Sequence, residues 1–430
     1  MNVIDFHNKY INEHGLKVCT DSRNVEPGSV FFALRGDSFN GNDFAVQALS
    51  NGCIAAVVDD PLIQHERCIL VSDVLSFLTE LARYHRRTVN IPVIGITGSN
   101  GKTTTKELIC AALSKQKKVI ATIGNLNNHI GVPLTLLRIT SDTDIAVIEM
   151  GANKIGDIKE LCEIAEPTAG IITNIGKAHL GYFGGIGGVI EAKTEMYRFL
   201  QERDGHIFVN ASDDLLLKYA GALEKTLYGP KVHNEFRVIS KETVPYVSVS
   251  WGYNQEIKTQ LTGEYNVENI ACAIAVAMYF NVRNDLIKEG IESYHPHNNR
   301  SEITETPFGN TIIKDFYNAN SSSMNVAISN AAHIKKENQV LILILADMFE
   351  LGEFSEEEHQ IVARHAMSVQ PDRLILIGKD FYKVPITAEK YLSTEDCIKA
   401  LQDQIITNSL ILIKGSNGMH LGKILQEVNL

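Results

Sequence analysis

The sequence has no excess of positive charge, no cysteines at metal-binding spacing and no long apolar run. Its 430 residues carry 40 Lys and Arg against 51 Asp and Glu, a formal net charge of −11. That balance excludes a non-specific nucleic-acid binder and confines any anion binding to a local site. The seven cysteines are scattered, odd in number and without a C-x-x-C pair. They argue against a disulfide framework and a zinc ribbon, and they fit a reducing compartment. The opening stretch MNVIDFHNKYINEHG lacks the basic-then-apolar pattern of a secretory signal. The longest apolar run, VLILILA from Val340 to Ala346, has the length of a buried strand and falls far short of the roughly 20 residues a membrane helix needs. No repeat or low-complexity tract is present. The expectation is a cytoplasmic protein with no membrane insertion and no nucleic-acid partner.

What is present is a globular composition, 44% hydrophobic and 21% charged, in a chain too long for one ordinary core. Three segments follow, 1–88, 89–294 and 295–430. In the first, SVFFAL and CIAAVVDD read as strands, and VLSFLTELARYHRR as a helix that closes the segment. The second opens on IPVIGIT, an apolar run before a Gly-rich turn, which reads as a buried parallel strand. After the turn, Leu108 and Ala112, like Ile109 and Leu113, stand four apart, the spacing of an amphipathic helix. The runs IAVIEM, GIITNI and HIFVN then alternate with helical stretches, a β-α-β pattern. The third segment follows the polar break YHPHNNRSE and repeats the pattern with TIIKDFY, VLILILADM, RLILIG and LILIKGS. Asp315, Asp347 and Lys414 sit near strand ends, where open α/β sheets form their sites. Asp347 by itself reads as an ordinary polar loop start. The fold class expected is α/β in three domains, the central one a P-loop ATPase-like parallel sheet and the last Rossmann-like.

The chemistry centres on GITGSNGKTTTKE, Gly95 to Glu107. Gly101, Lys102 and Thr103 match the end of a phosphate-binding loop, although Ile96 stands where the usual first glycine would be and Gly98 comes two residues later. Gly98 and Gly101 allow backbone N–H groups, including those of Ser99, Asn100 and Thr104, to curl towards a phosphate. Lys102 can bridge phosphate oxygens, the Thr103 hydroxyl can reach Mg²⁺, and the helix N-terminus adds partial positive charge. A strand–loop–helix context makes a chance Gly-rich turn the weaker reading. The expected ligands are ATP and Mg²⁺.

The spelling TGSNGKTTT resembles the loop of the Mur ligases, the ATP-dependent amide-forming enzymes of peptidoglycan precursor synthesis, and the resemblance continues over nearly the whole chain. TDSRNVEPGSVFFALRGDSFNGNDF resembles their uridine-nucleotide-binding domain, which implies roles for Ser22 and Arg23 near a UDP group; Asn42 stands where the family usually has His. Read as bare sequence, that stretch suggests only a turn-rich β hairpin. GNLNNHIGVPLTLL is similar to one branch of the family, the branch that adds D-alanyl-D-alanine to a UDP-N-acetylmuramoyl-tripeptide, and implies Asn125, Asn127 and Asn128 on the substrate side. The resemblance implies Glu149 in VIEMGAN and His179 in TNIGKAHL as metal ligands. It also implies Lys193 in EAKTEMY as a carbamylated lysine, because an ammonium has only donors whereas a carbamate offers oxygens to the metal. Catalytic roles thus fall on Lys102, Lys193 and His179.

LTGEYNVENIACAIA resembles the family's G-x-H-N-x-x-N segment, with Tyr265 in place of His and Asn269 near the adenine; helix capping is the alternative reading of its asparagines. Arg300 in NNRSE matches an arginine that reaches ATP phosphates across the domain gap. In KDFYNANSSSM, Asp315 matches a nucleotide-contacting aspartate, and Asn318 and Asn320 are substrate-side candidates; Ser321 stands where Pro usually follows. ADMFELG also resembles the D-alanyl-D-alanine-adding branch. IKGSNGMHL brings Lys414 and Ser416 to the second substrate, with Asn417 in place of the branch's Arg. A monomer is implied. The rivals are a sister ligase adding one amino acid, folylpolyglutamate synthase, a P-loop ATPase switch or motor, and a degenerate binding protein. The three-Asn patch and YNAN argue against the first two. The N-terminal uridine-type segment argues against the third, and the intact Lys102, Thr103, Glu149, His179 and Lys193 set against the last.

Overall fold

The structure, a computed structural model, describes residues 1–11, 16–36, 38–177, 179–252, 255–297 and 299–430. Every candidate site residue lies within these ranges. Near the N-terminus, strands Val18–Cys19, Val30–Phe32, Ala55–Val58 and Cys68–Leu70 form one parallel sheet in that order. The hairpin suggested by the bare sequence of this region is confined to residues after Leu34, and the run Val30–Phe32 before it joins the parallel sheet instead. Only the short pair Arg35–Gly36 with Phe39–Asn40 is antiparallel. The physical reason is burial: Val30, Phe31 and Phe32 are all enclosed, and a strand buried on both faces belongs inside a covered parallel sheet.

The central sheet has six parallel strands in the order Glu224–Tyr228, His206–Asn210, Ala169–Ile172, Val93–Thr97, Ile145–Glu149, Val119–Ala121. The chain builds outwards from Val93–Thr97 first on one side and then on the other. That strand marks the reversal point beyond whose carboxyl end a ligand crevice forms. Helix Lys102–Leu113 follows at once, and Leu108, Ile109, Ala112 and Leu113 are all fully buried. They pack against helices Asn266–Tyr279 and Asn284–Glu292. A small antiparallel sheet, Val238–Glu242, Ser248–Trp251 and Gln255–Lys258, covers this core. It encloses Trp251, whose indole donates to the Glu235 carbonyl at 3.0 Å.

The C-terminal sheet runs Glu302–Glu305, Thr311–Asp315, Ser409–Lys414, Val340–Ala346, Arg373–Ile377, Glu389–Tyr391, parallel apart from the first edge strand. Alternation along Val340–Ala346 sends Leu341, Leu343 and Leu345 to one core and Ile342, Ile344 and Ala346 to the other, as strand geometry requires. These cores are separate from the rest of the molecule. By contrast, the N-terminal sheet shares one continuous core with the central sheet, from Phe6 and Phe32 through Leu81 to Met196 and Leu200. Among the described residues, no helix is long and apolar enough to cross a membrane.

Register in the C-terminal sheet sets Asp315 directly beside Lys414. The Lys414 ammonium, whose side chain is 2% exposed, donates to Asp315 Oδ2 at 2.6 Å. Removing one member of such a buried pair strands the other charge. Lys414→Met is expected to lower stability by about 3 kcal/mol in urea unfolding followed through the C-terminal domain. An unchanged midpoint would contradict the pair's structural role.

Candidate active site

The loop after Val93–Thr97 is shaped by its neighbours as much as by its own sequence. Gly98 has φ +142°, and a Cβ there would lie 2.0 Å from Thr173 Oγ1. Gly101, with φ +78°, caps helix Lys102–Leu113, and a Cβ there would lie 2.8 Å from Asn269 Oδ1. Both positions thus require glycine for conformation and for space. The next strand's loop holds the main chain: Ser99 N–H donates to the Asn174 carbonyl at 2.9 Å, Asn100 N–H to Asn174 Oδ1 at 3.0 Å, and the Thr173 hydroxyl to the Asn100 carbonyl at 2.6 Å. From the other side Asn269 accepts from Thr105 Oγ1 at 3.0 Å and donates to Asn266 at 2.8 Å. Asn269 therefore braces the loop while it lines the cavity.

That cavity encloses about 1050 Å³ between the central and C-terminal sheets. Ser99, Asn100, Gly101, Lys102, Thr103, Thr104, Asn125, Asn127, Asn128, Glu149, His179, Lys193 and Asn269 line it from the central domain. Arg300, Asp315, Asn318, Asn320 and Lys414 line it from the C-terminal domain. Four candidates lie outside its wall. Gly98 sits behind the loop. Ser416 accepts from Phe349 N–H at 2.9 Å and fixes the turn beside the cavity. Ser22, buried against Gln47, and Arg23, solvent-exposed and paired with Asp21, stand on the N-terminal sheet.

Glu149 ends its strand 2% exposed. Its Oε2 accepts from the Thr103 hydroxyl at 2.9 Å and its Oε1 from Asn127 Nδ2 at 2.8 Å. Two oxygen donors this close suit Mg²⁺, which keeps several waters and takes few protein ligands. The described residues contain no group of three or more His, Cys, Asp or Glu able to hold a metal. Water and phosphate oxygens would therefore complete such a coordination shell.

Positive charge converges on the same place. Lys102 folds back onto the Gly98 and Ser99 carbonyls, at 2.8 and 3.3 Å. Burial lowers its pKa and the charge of Arg300 lowers it further, against the opposing pull of Glu149. Lys193 is 2% exposed. Burial first and Lys102 second push its pKa down to about 7, while Asp157 and Glu195 oppose the shift. Among the described residues no hydrogen bond or ion pair holds its amine, which lies 5.8 Å from the centre of the Phe183 ring. Arg300 stacks on Tyr317 at 3.8 Å from the ring centre, a contact that fixes a guanidinium without neutralising it. Lys102 and Arg300 thus face one cavity whose wall also carries Glu149, Asp157, Glu160, Glu268, Asp315 and Glu350, so an anion site here is local to the loop and Arg300.

The structure also assigns local duties that the sequence left open. Asn128 caps the turn into helix Gly131–Leu136 by accepting from Ile130 and Gly131 N–H at 3.1 and 2.9 Å. Asn125 and Asn128 are the exposed members of their patch, and Asn127 is half-buried. Asn318 accepts from Ala319 N–H at 2.9 Å. Asn320 caps helix Ser321–Ile334. Asn42 is buried on Asp59, to which it donates at 2.7 Å, and Tyr265 reaches across to Ser301 Oγ at 2.7 Å. Sequence reasoning missed Glu350, whose carboxylate meets His179 Nδ1 across the domain boundary; that contact holds the Glu350 carboxyl below its usual range. ADMFELG carried that residue, but a lone carboxylate in a turn gives no separate signal.

Comparison with known proteins accounts for this arrangement. Family models match end to end: "Mur ligase family, catalytic domain" over 17–94, "Mur ligase middle domain" over 96–277 and "Mur ligase, glutamate ligase domain" over 299–417. The UDP-N-acetylmuramoyl-tripeptide–D-alanyl-D-alanine ligase of Bacillus subtilis is 35% identical, covering 96% of this chain and 93% of its own.

The chain belongs to the Mur ligase family.

Solved structures agree with the assignment. MurF from Acinetobacter baumannii superposes with a TM-score of 0.85 at 28% identity, covering 100% of this chain and 98% of its own. MurF from Thermotoga maritima in complex with ADP gives 0.83 at 25% identity, covering 97% and 98%. This Mur ligase is thus an ATP-dependent ligase with the three-domain α/β fold. Removing the Lys102 ammonium should lower kcat by roughly 10²–10³-fold, the scale for losing one preorganised charge-stabilising donor, with little change in Tm. Near-normal phosphate release by Lys102→Ala would contradict the loop's role.

Proposed function

We propose that this ligase joins D-alanyl-D-alanine to a UDP-N-acetylmuramoyl-tripeptide, with ATP supplying the activation and Mg²⁺ bound at Thr103 and Glu149. The observation that carries the reading is the cavity itself, in which the phosphate loop and Glu149 of one domain face Arg300 and the YNAN segment of another. The Bacillus subtilis relative's name carries the same reaction.

An amide cannot form in water from a free carboxylate, so the tripeptide carboxylate first attacks the γ-phosphate of ATP. An acyl phosphate and ADP result. The amine of the dipeptide then adds to the acyl carbon, and the tetrahedral intermediate collapses with loss of phosphate. No protein nucleophile is needed, and the chain's contribution is positioning and charge stabilisation. Lys102 releases its loop carbonyls to meet phosphate oxygens. Arg300, held flat by Tyr317, approaches from the opposite wall. Magnesium, when bound, withdraws charge from the phosphates.

Lys193 suits carbamylation. Its pKa near 7 leaves a substantial share of unprotonated amine at neutral pH, the form that adds CO₂, and the product oxygens would face the metal. The reaction proceeds in the cytoplasm, and the enzyme acts as a monomer.

Phosphate release with ATP, Mg²⁺ and a UDP-N-acetylmuramoyl-tripeptide should require D-alanyl-D-alanine and yield a pentapeptide product by mass. Preference for a single amino acid on a shorter UDP substrate would move the chain to a sister ligase. For Lys193, the expected result is that Lys193→Ala loses activity and short-chain carboxylates restore part of it. Full activity without rescue would remove the carbamate from the mechanism.

A further inference from the structure

Asn100 stands at the tip of the phosphate loop and divides its contacts between two domains. Its main chain is bound by Thr173 and Asn174 of the central domain. Both polar atoms of its side chain face the C-terminal domain. Asn100 Nδ2 donates to Ser322 Oγ at 2.9 Å, Ser322 Oγ donates to Asn320 Oδ1 at 2.7 Å, and Asn320 Nδ2 donates back to Asn100 Oδ1 at 2.8 Å. Each side chain in this ring donates once and accepts once, the arrangement in which hydrogen bonds reinforce one another. Asn320 Oδ1 also accepts from Ser323 N–H at 2.9 Å and so caps helix Ser321–Ile334.

We infer that Asn100, Asn320 and Ser322 form a clasp that couples the phosphate loop to the seating of the C-terminal domain. Asn100 and Asn320 are then positioning residues for phosphoryl transfer and not contacts for the second substrate. The inference rests on the ligase reaction proposed above. The C-terminal domain has cores of its own; Phe354 packs against the shared core of the other two domains, while polar links, the clasp and the pairs Tyr265–Ser301, Lys177–Glu358 and Asn330–Thr262, meet the central domain. The clasp is the link that touches the loop itself. It carries the capping helix, and with it the segment bearing Asp315 and Tyr317, to a fixed place over the phosphates. Asparagine suits both positions because its amide offers one donor and one acceptor at the same reach. Aspartate at 320 would set two acceptors face to face, and aspartate at 100 would leave the single Ser322 proton to serve two acceptors.

The test uses the full-length protein. Asn320→Ser keeps a capping hydroxyl for the helix but cannot span to Asn100, and Asn100→Ala empties the other side. Each should lower kcat roughly five- to tenfold, leave KM for the dipeptide within about twofold, and shift Tm by no more than about 2 °C. Because both break one ring, the double variant should be no slower than the slower single variant. Losses that multiply in the double variant, or a raised KM for the dipeptide at unchanged kcat, would overturn the clasp. Small-angle scattering with a non-hydrolysable ATP analogue provides an arm that needs no acceptor. Asn320→Ser should show a larger radius of gyration than wild type, and identical curves would overturn the clasp. If the wild type showed no dipeptide-dependent turnover, the reaction assignment would fail while the scattering still judged the clasp.

Discussion

The meeting of Lys102 and Lys193 with Arg300 in the cavity where two parallel sheets face each other is the constraint on which the rest of the structure depends. Burial first and then the charge of Arg300 lower the pKa of Lys102, against the pull of Glu149, and burial first and then Lys102 lower that of Lys193. Such a cluster is tolerable only if anions come to it, or if the fold holds it in place by other means. The fold uses main-chain carbonyls for Lys102, burial for Lys193 and a tyrosine face for Arg300. Carbonyls and a ring face leave the charges of Lys102 and Arg300 in place, whereas burial favours the neutral amine of Lys193. The loop side of the cavity therefore suits phosphate groups, and Glu149, one of several carboxylates in the wall, is held by Thr103 and Asn127 in a position suited to a metal.

Domain packing follows the same division of labour. An apolar core continuous between the first two domains makes them one platform. The third domain, with its own cores, is joined to that platform through hydrogen bonds, ion pairs and the side chain of Phe354. Polar junctions of this kind exchange readily with water, so the relative seating of the domains is set by a few specific contacts. Three of those contacts lie at the cavity rim: Asn100 with Asn320 and Ser322, Tyr265 with Ser301, and His179 with Glu350. Chemistry at the loop and seating of the domain are consequently one structural problem.

Much of this was legible in the sequence, for identifiable reasons. The loop announced itself through Gly98, Gly101, Lys102 and Thr103, because close phosphate approach requires those residue types. The α/β class followed from apolar runs alternating with helical periods. Glu149 stood at a strand end, whereas Arg300 and Lys193 gained meaning only from the resemblance, since an isolated Arg or Lys looks like a solvated charge. The N-terminal hairpin reading held only for Arg35–Gly36 with Phe39–Asn40, and it missed the parallel sheet because the pairing partners of Val30–Phe32 lie outside that stretch. The small antiparallel sheet escaped because strands such as Gln255–Lys258 are mostly exposed and polar. The Asn100–Asn320 contact, 220 residues apart, leaves no local pattern at all.

The central claim is that phosphate held by this loop activates a carboxylate. The most direct test is oxygen transfer: run one turnover with the tripeptide carboxylate labelled with ¹⁸O and weigh the released inorganic phosphate. The acyl-phosphate route predicts one labelled oxygen in each phosphate released per amide formed. Unlabelled phosphate would mean that ATP is hydrolysed by water at this site and would contradict the account.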